Sequence, residues 1–356
     1  MSNLRVTLVL GPSEGGVGRH VRSLAYRLSQ EGAAVRVVGP AATDDRFDFS
    51  SHAEFVPLEP TSLRDLWRLR RRLADADVLH VHDHVAARAA LAVPRSTPVV
   101  VTWHHPLPTR SLSGRASRAL ASVIVRRASV VLGAAADLVE AAFALGARDA
   151  RIVRVAAPEL PSPTRTRSQA RTALGVAGRP LVLALGALVP AKRFDLLLDA
   201  AAVLMRRDAL PPLILVAGEG PERERLNARI RRERLPVLLA GRRGDVPELL
   251  LAADAVVIPS DWEARSTVAQ EALRAGVPLV ATKTGGIPDL VGDAALLVPP
   301  GDADALAAAL VEVLEDPEVA ARLREQGPKR AAEWPTEEDT ALDMLRVYGE
   351  ITGTSV

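Results

Sequence analysis

Glu263 and Glu271 stand with seven residues between them in the stretch Pro259-Ser260-Asp261-Trp262-Glu263-Ala264-Arg265-Ser266-Thr267-Val268-Ala269-Gln270-Glu271-Ala272-Leu273. The pattern passes from an apolar strand, through a loop carrying Glu263, into a helix carrying Glu271. Backbone N–H groups of Ser266, Thr267, Val268 and Ala269, at the start of that helix, have no intrahelical partners and can hold phosphate or sugar oxygens. A carboxylate at Glu271 can accept two hydroxyl hydrogen bonds from a ribose. Taken alone, two glutamates at this spacing also fit a solvated helix face.

The first half of the chain offers two further groups. Gly11-Pro12-Ser13-Glu14-Gly15-Gly16-Val17-Gly18-Arg19-His20 opens a helix after a strand, and its glycines let backbone N–H groups approach an anion. The spacing matches neither the dinucleotide fingerprint nor a Walker loop, so the glycines serve equally well as a tight turn. Asp77-Val78-Leu79-His80-Val81-His82-Asp83-His84 puts His80 and His82 on one face of a strand, and His104-His105 closes the next strand after Thr102-Trp103. The order falls one residue short of His-x-His-x-Asp-His, and no histidine follows His105. These histidines therefore read as polar strand ends at a cleft edge, with no metal expected.

The elements behind these residues alternate between short apolar runs and longer amphipathic stretches, the rhythm of βα units with parallel sheets. Strands are expected at 4–10, 33–39, 53–57, 77–82, 97–103, 129–133 and 151–156. After a Pro-rich linker from Val155 to Ser168, a second series follows at 181–185, 213–217, 237–240, 255–259, 278–281 and 295–298. At 356 residues the chain is long enough for two cores. The expected division is 1–162, 163–330 and a terminal helix at 331–356 that returns to the first domain. Two doubly wound domains of this kind bind ligands beyond the carboxyl ends of their strands, where loops of both are expected to line a cleft.

Composition narrows the classes. With 48% hydrophobic and 25% charged residues the chain is globular, and the absence of cysteine excludes disulfides, thiolate nucleophiles and Cys-based zinc sites. That fits a reducing compartment, so a cytoplasmic location is expected. The apolar run at 4–10 is too short for a membrane span of about 20 residues. The net charge of +2 conceals an asymmetry: residues 1–165 carry 22 Lys and Arg against 15 Asp and Glu, hence +7, leaving 2 − 7 = −5 for the remainder. Arg110, Arg115, Arg118, Arg126 and Arg127 lie in one Ser/Ala/Leu-rich helical stretch. Peripheral contact with an anionic inner membrane face is the sharper expectation there, solvated helix faces the plainer one, and nucleic acid is not expected as a partner.

Beyond Leu273, Ala275-Gly276-Val277-Pro278-Leu279-Val280-Ala281 and Thr284-Gly285-Gly286-Ile287-Pro288-Asp289 complete a pattern that resembles glycosyltransferase family 4, retaining enzymes of the GT-B fold. The resemblance covers essentially the whole chain and implies two Rossmann-like domains in an α/β architecture. It implies transfer of a hexose from a UDP- or GDP-sugar to a small-molecule, glycan or lipid acceptor, with retention of configuration and no metal or other cofactor. Carried over by motif, Glu271 binds the donor ribose and Glu263 faces the transferred sugar. Lys192, in Leu185-Gly186-Ala187-Leu188-Val189-Pro190-Ala191-Lys192-Arg193, matches the lysine that binds the donor diphosphate and is one of three lysines in the chain. Gly218-Glu219-Gly220 and Gly241-Arg242 resemble loops around the donor, with Gly16 approaching it from the first domain. Gly15, His82, His104, Gly285 and Gly286 fall on the acceptor side, with His104 close to the reacting sugar. Trp334 and Tyr348 resemble the terminal helix that crosses back.

At Ala187 the family usually has an arginine that shares the diphosphate with the lysine. One missing charge-assisted partner costs about 2–4 kcal/mol in the transition state. Arg193, Arg242, Arg19 and Arg265 are the cations that could compensate. A sugar phosphorylase, a nucleotide-sugar epimerase, and a scaffold with weakened turnover are the alternatives on the same fold.

Overall fold

A computed structural model of the protein describes residues 4–13, 15–58, 69–107, 112–176, 178–207 and 210–354. Glu14 and Arg110 thus lie outside the described residues. Strands form at β1 Arg5–Leu10, β2 Ala34–Gly39, β3 Glu54–Pro57, β4 Val78–His82, β5 Val99–Trp103, β6 Val130–Gly133 and β7 Ala150–Ile152. The second series is β8 Leu181–Leu185, β9 Leu213–Ala217, β10 Val237–Gly241, β11 Ala255–Ile258, β12 Leu279–Thr282 and β13 Leu296–Val298. Every expected strand is there, within a residue or two at most ends. The exception is β7, which stops at Ile152 instead of 156, because it is an edge strand whose only partner, β6, ends at Gly133 opposite Ile152. The expected linker is also shorter than its composition suggested. Residues 153–163 form neither helix nor strand, but Thr166 and Gln169 make a reciprocal capping box that starts the helix Arg167–Ala173.

The strands pair in parallel throughout, in the orders β3-β2-β1-β4-β5-β6-β7 and β10-β9-β8-β11-β12-β13. Their nearly unbroken Val, Leu and Ala content is what a sheet covered on both faces requires. In β8 the consequence is visible residue by residue: Val182 and Ala184 enter one apolar core, and Leu181 and Leu183 enter another on the opposite face. In each sheet the strand order reverses beside the first strand, between β1 and β4 and between β8 and β11. The loops at the carboxyl ends of those strands are where a doubly wound sheet presents ligand-binding groups.

Contacts divide the chain into two compact units, Met1–Pro158 with Pro335–Val356, and Glu159–Trp334. Trp334 is nine-tenths buried in the second unit, where its indole N–H donates to the Leu290 carbonyl at 3.1 Å. It therefore marks the end of that unit, and the returning helix begins only at Glu337. That helix, Glu337–Thr352, is capped by Thr336 with Asp339 and belongs to the first unit. Its Tyr348 is fully buried with the hydroxyl 2.6 Å from His80 Nδ1, and Arg151 pairs with Glu350 at 2.7 Å. Among the described residues, no helix is long and apolar enough to cross a membrane.

Candidate active site

In the second unit, three loops converge around Glu263. Its Oε1 accepts from Lys192 Nζ at 2.5 Å and from the Ser260 hydroxyl at 2.7 Å, and its side chain is 10% exposed. Lys192 follows β8 on a short 3-10 turn begun by Pro190, whereas Ser260 and Glu263 follow β11. The third loop follows β12. Gly286 N donates to the Glu263 carbonyl at 2.8 Å, the Thr284 hydroxyl to Asp261 O at 2.7 Å, and the Thr282 hydroxyl to Ser260 O at 2.6 Å. Ser260, Asp261 and Thr284 are supports that motif reading did not single out. The Thr284 hydroxyl bonds loop backbone, as short hydroxyl side chains near strand ends do, while Ser260 acts on the Glu263 carboxylate and Asp261 through its backbone carbonyl.

Gly285 holds φ +51, and a Cβ there would come within 2.1 Å of the Glu263 carbonyl oxygen. Substitution by alanine is therefore expected to push the Glu263 loop outward. Overpacking costs about 1–3 kcal/mol and the left-handed backbone about 1–2 kcal/mol more. Urea unfolding of Gly285→Ala checks this. A stability equal to that of the unmodified protein would mean that the loop does not hold this close approach.

The helix Thr267–Arg274 starts at Ser266, whose hydroxyl accepts from Ala269 N at 3.4 Å, and Glu271 lies on it buried at 4% exposure. Ser266 thus serves one helix N–H itself. Gly241 ends β10 at φ +70, its carbonyl accepting from Gly218 N at 2.8 Å, and Arg242 follows on the exposed loop. A Cβ on Gly218 would lie 1.8 Å from the Gly186 carbonyl oxygen, so the loops after β8 and β9 touch backbone to backbone. The structure thus brings Lys192, Glu263, Gly285 and Gly286 into direct contact with one another or with shared neighbours, and sets Ser266–Ala269 and Glu271 on the element that follows Glu263.

In the first unit, Gly15 is the residue before the helix Gly16–Gln30, and the Ser13 hydroxyl accepts from Gly18 N at 3.0 Å. Gly18 is a packing glycine, since a Cβ there would meet the Phe47 ring at 2.2 Å. His20 on that helix, His80 and His82 on β4, and His104 after β5 are all buried. His80 is satisfied twice, by Tyr348 and by the Thr102 hydroxyl at 2.7 Å. His82 Nδ1 lies 3.2 Å from His104 Nε2, while His82 Nε2 has no partner among the described residues. Burial lowers the pKa of all four, that of His80 to about 3, so each imidazole is neutral at pH 7. Asp83, at φ +65, accepts from His104 N at 3.1 Å and faces His105 Nδ1 at 3.2 Å. Burial opposes ionisation of its carboxyl, but His105 and His104 together hold it below the ordinary carboxylate range. His20 and Asp83 went unassigned in the sequence, because only the adjacency of β1, β4 and β5 gathers these residues.

Residues 167–330 match the family described as Glycosyl transferases group 1, and residues 15–158 match the Glycosyl transferase 4-like domain. The chain belongs to the family 4-like glycosyltransferases of GT-B fold. A curated relative, the glycogen synthase of Mycobacterium tuberculosis, is 29% identical over 94% of this chain and 91% of its own length. The D-inositol 3-phosphate glycosyltransferase of Saccharomonospora viridis is 38% identical over 51% of this chain and 46% of its own. Among solved structures, Anabaena HepE in complex with UDP and glucose has a TM-score of 0.85 at 22% identity, covering 98% of this chain and 100% of that one. Sucrose-phosphate synthase from Thermosynechococcus elongatus has 0.81 at 22% identity, covering 99% and 100%.

For a glycosyltransferase of this family, the departure at Ala187 has a defined setting. Ala187 is exposed on the loop after β8, while Arg193, the nearest substitute in sequence, sits at φ +48 and is engaged elsewhere. Its guanidinium binds Asp261 at 2.7 Å and Asp195 at 3.1 Å, fastening the β8 loop to the β11 loop. Arg193, one of the four candidate compensating cations, is thus engaged as a clamp between these loops. Arg265 lies over the Trp334 ring at 5.9 Å. The basic helix Leu112–Arg127 is also more divided than its sequence suggested. Arg115, Arg118 and Arg126 are exposed, but Arg127 donates to the carbonyls of Pro94 and Thr97 at 2.6 and 2.9 Å and serves the fold.

Proposed function

We propose that this glycosyltransferase moves a hexose from a nucleoside-diphosphate sugar to an acceptor hydroxyl with retention of configuration. The observation that supports it is the contact of Lys192 with Glu263 at 2.5 Å, beside the helix that carries buried Glu271. A diphosphate entering this site offers Lys192 a stronger anionic partner than one carboxylate. Glu263 is then released from the ion pair to accept hydrogen bonds from the sugar hydroxyls. Glu271 holds the ribose, and N–H groups opening the helix Thr267–Arg274 face the phosphates.

In the step itself, the acceptor oxygen bonds to the anomeric carbon on the face from which the diphosphate departs, and the acceptor proton passes to the leaving phosphate oxygen. Lys192 and the helix supply the positive field, so the transfer is proposed to need no metal. UDP is the first base to test, because the structural neighbour HepE is described in complexes with UDP and UDP-glucose. GDP is the second. The first unit is proposed to carry the acceptor, with Gly15, His82 and His104 on that side.

A thermal-shift panel of UDP, GDP, ADP and their sugars tests the donor, since a ligand at 100 times its Kd adds about 2.7 kcal/mol. NMR of the product's anomeric proton tests retention. Glu271→Ala is expected to weaken nucleotide binding by about 5- to 150-fold, the equivalent of 1–3 kcal/mol of lost ribose hydrogen bonds. Unchanged nucleotide affinity in that variant would remove Glu271 from the donor pocket. Phosphate-dependent release of sugar from a disaccharide would instead mark a phosphorylase.

A further inference from the structure

We propose that His20, His82 and His104 form a three-imidazole binding site for a divalent transition-metal ion of the Zn2+ class, within the first unit, drawing on His82 and His104 of the proposed acceptor side and on neither Lys192 nor Glu263. One ring nitrogen from each lies within 4.8 Å of the others. Their exposures are 4%, 0% and 7%, and the rings stand 5.5–5.6 Å apart between centroids. Two imidazole nitrogens bound to one tetrahedral Zn2+, each at about 2.0–2.1 Å, are held about 3.3–3.4 Å from each other. His82 Nδ1 and His104 Nε2 already stand 3.2 Å apart. Each of the two distances to His20, at most 4.8 Å, then closes by at most about 1.4 Å, the movement of a side chain and not of a strand.

His82 Nε2 is the independent sign. It is a fully buried ring nitrogen with no hydrogen-bond partner among the described residues, a costly condition in a folded core. A bound ion answers it in either of two ways: by taking this nitrogen as the ligand, or by turning the ring so that Nδ1 binds and Nε2 finds a partner. His80 is excluded from the ligand set because both its nitrogens are engaged, by Tyr348 and Thr102. It packs on His82 at 4.2 Å between ring centroids and restrains that ring. A set of three neutral imidazoles, with no thiolate and no carboxylate, suits Zn2+, Co2+, Ni2+ or Cu2+ and not Mg2+ or Ca2+. It leaves a fourth coordination position for water or an anionic oxygen.

The test uses the full chain after chelator treatment and dialysis. Titration with Co2+ is expected to give intense visible d–d absorption that saturates at one equivalent, and Zn2+ is expected to displace it. X-ray absorption of the Zn2+ form should give nitrogen ligands at about 2.0–2.1 Å with imidazole outer-shell scattering. His20→Asn should weaken Zn2+ binding by more than the about 10- to 100-fold typical of outer-shell changes, whereas His52→Asn, a histidine outside the cluster, should leave it unchanged. Absence of one-equivalent uptake, an all-oxygen coordination shell, or equal affinity in His20→Asn would each overturn the proposal. The absorption measurement on the unaltered protein decides the matter even if the variant does not fold.

Discussion

Lys192→Ala is expected to lower kcat/KM for sugar transfer by about 10²- to 10³-fold, the scale observed when one preorganised donor to a developing anion is lost. The departing nucleoside diphosphate gains negative charge as its bond to the sugar breaks. Ala187 stands where the resemblance implies a second cation, and Arg193 is held by Asp195 and Asp261. More of the stabilisation therefore falls on Lys192 than where two cations share it. The variant also leaves Glu263, 10% exposed, with Ser260 as its remaining donor. Because the Lys192 side chain is 32% exposed, the stability cost should stay below the about 3–5 kcal/mol of a fully buried broken pair. Ala187→Arg is the complementary change. Ala187 is exposed on the loop that carries Lys192, so a longer side chain is accommodated there. Turnover should rise. A decrease would mean that another cation already occupies that region, and full activity in Lys192→Ala would remove the lysine from the site.

Metal-free protein is expected to lose stability steeply as pH falls below about 6.5. Burial depresses the folded-state pKa of His20, His80, His82 and His104, with His80 at about 3. The unfolded chain takes up their protons near pH 6.5, whereas the folded one does not. Between the unfolded and folded values the unfolded state binds more protons, so stability rises with pH. On acidification it falls by up to about 1.4 kcal/mol per pH unit for each histidine. Acting together, such groups remove a substantial share of a typical stability of about 5–15 kcal/mol. Urea midpoints from pH 8 to pH 4 measure the slope. A flat profile from pH 6.5 to 5 would mean that these imidazoles are not buried neutral.

How much of this was readable beforehand divides along physical lines. Strands such as Val99–Trp103 were legible because a run of Val covered on both faces of a parallel sheet has few other uses. The approach of Lys192 to Glu263 was legible because it follows from strand-end motifs on the adjacent strands β8 and β11, whereas Gly285, expected on the acceptor side, gave no sign of packing against Glu263. Pairings that depend on long side chains were not. Arg193 was read as a spare cation, and nothing local to it announces Asp261, 68 residues on. The role of His20 was hidden for a related reason. It sits among alternating polar and apolar residues of an ordinary amphipathic helix, and only the strand order sets it against His82 and His104.

The first unit is not contiguous in sequence, since Met1–Pro158 is completed by Pro335–Val356 and the whole of Glu159–Trp334 is synthesised in between. A chain leaving the ribosome usually completes its domains from the amino terminus onward. Here the order is inverted: the nascent second unit has its full complement of strands while the first still lacks the helix that delivers Tyr348 to His80. A stop codon a few residues before 348 would spare the unit nearest the break and cripple the one whose synthesis began first.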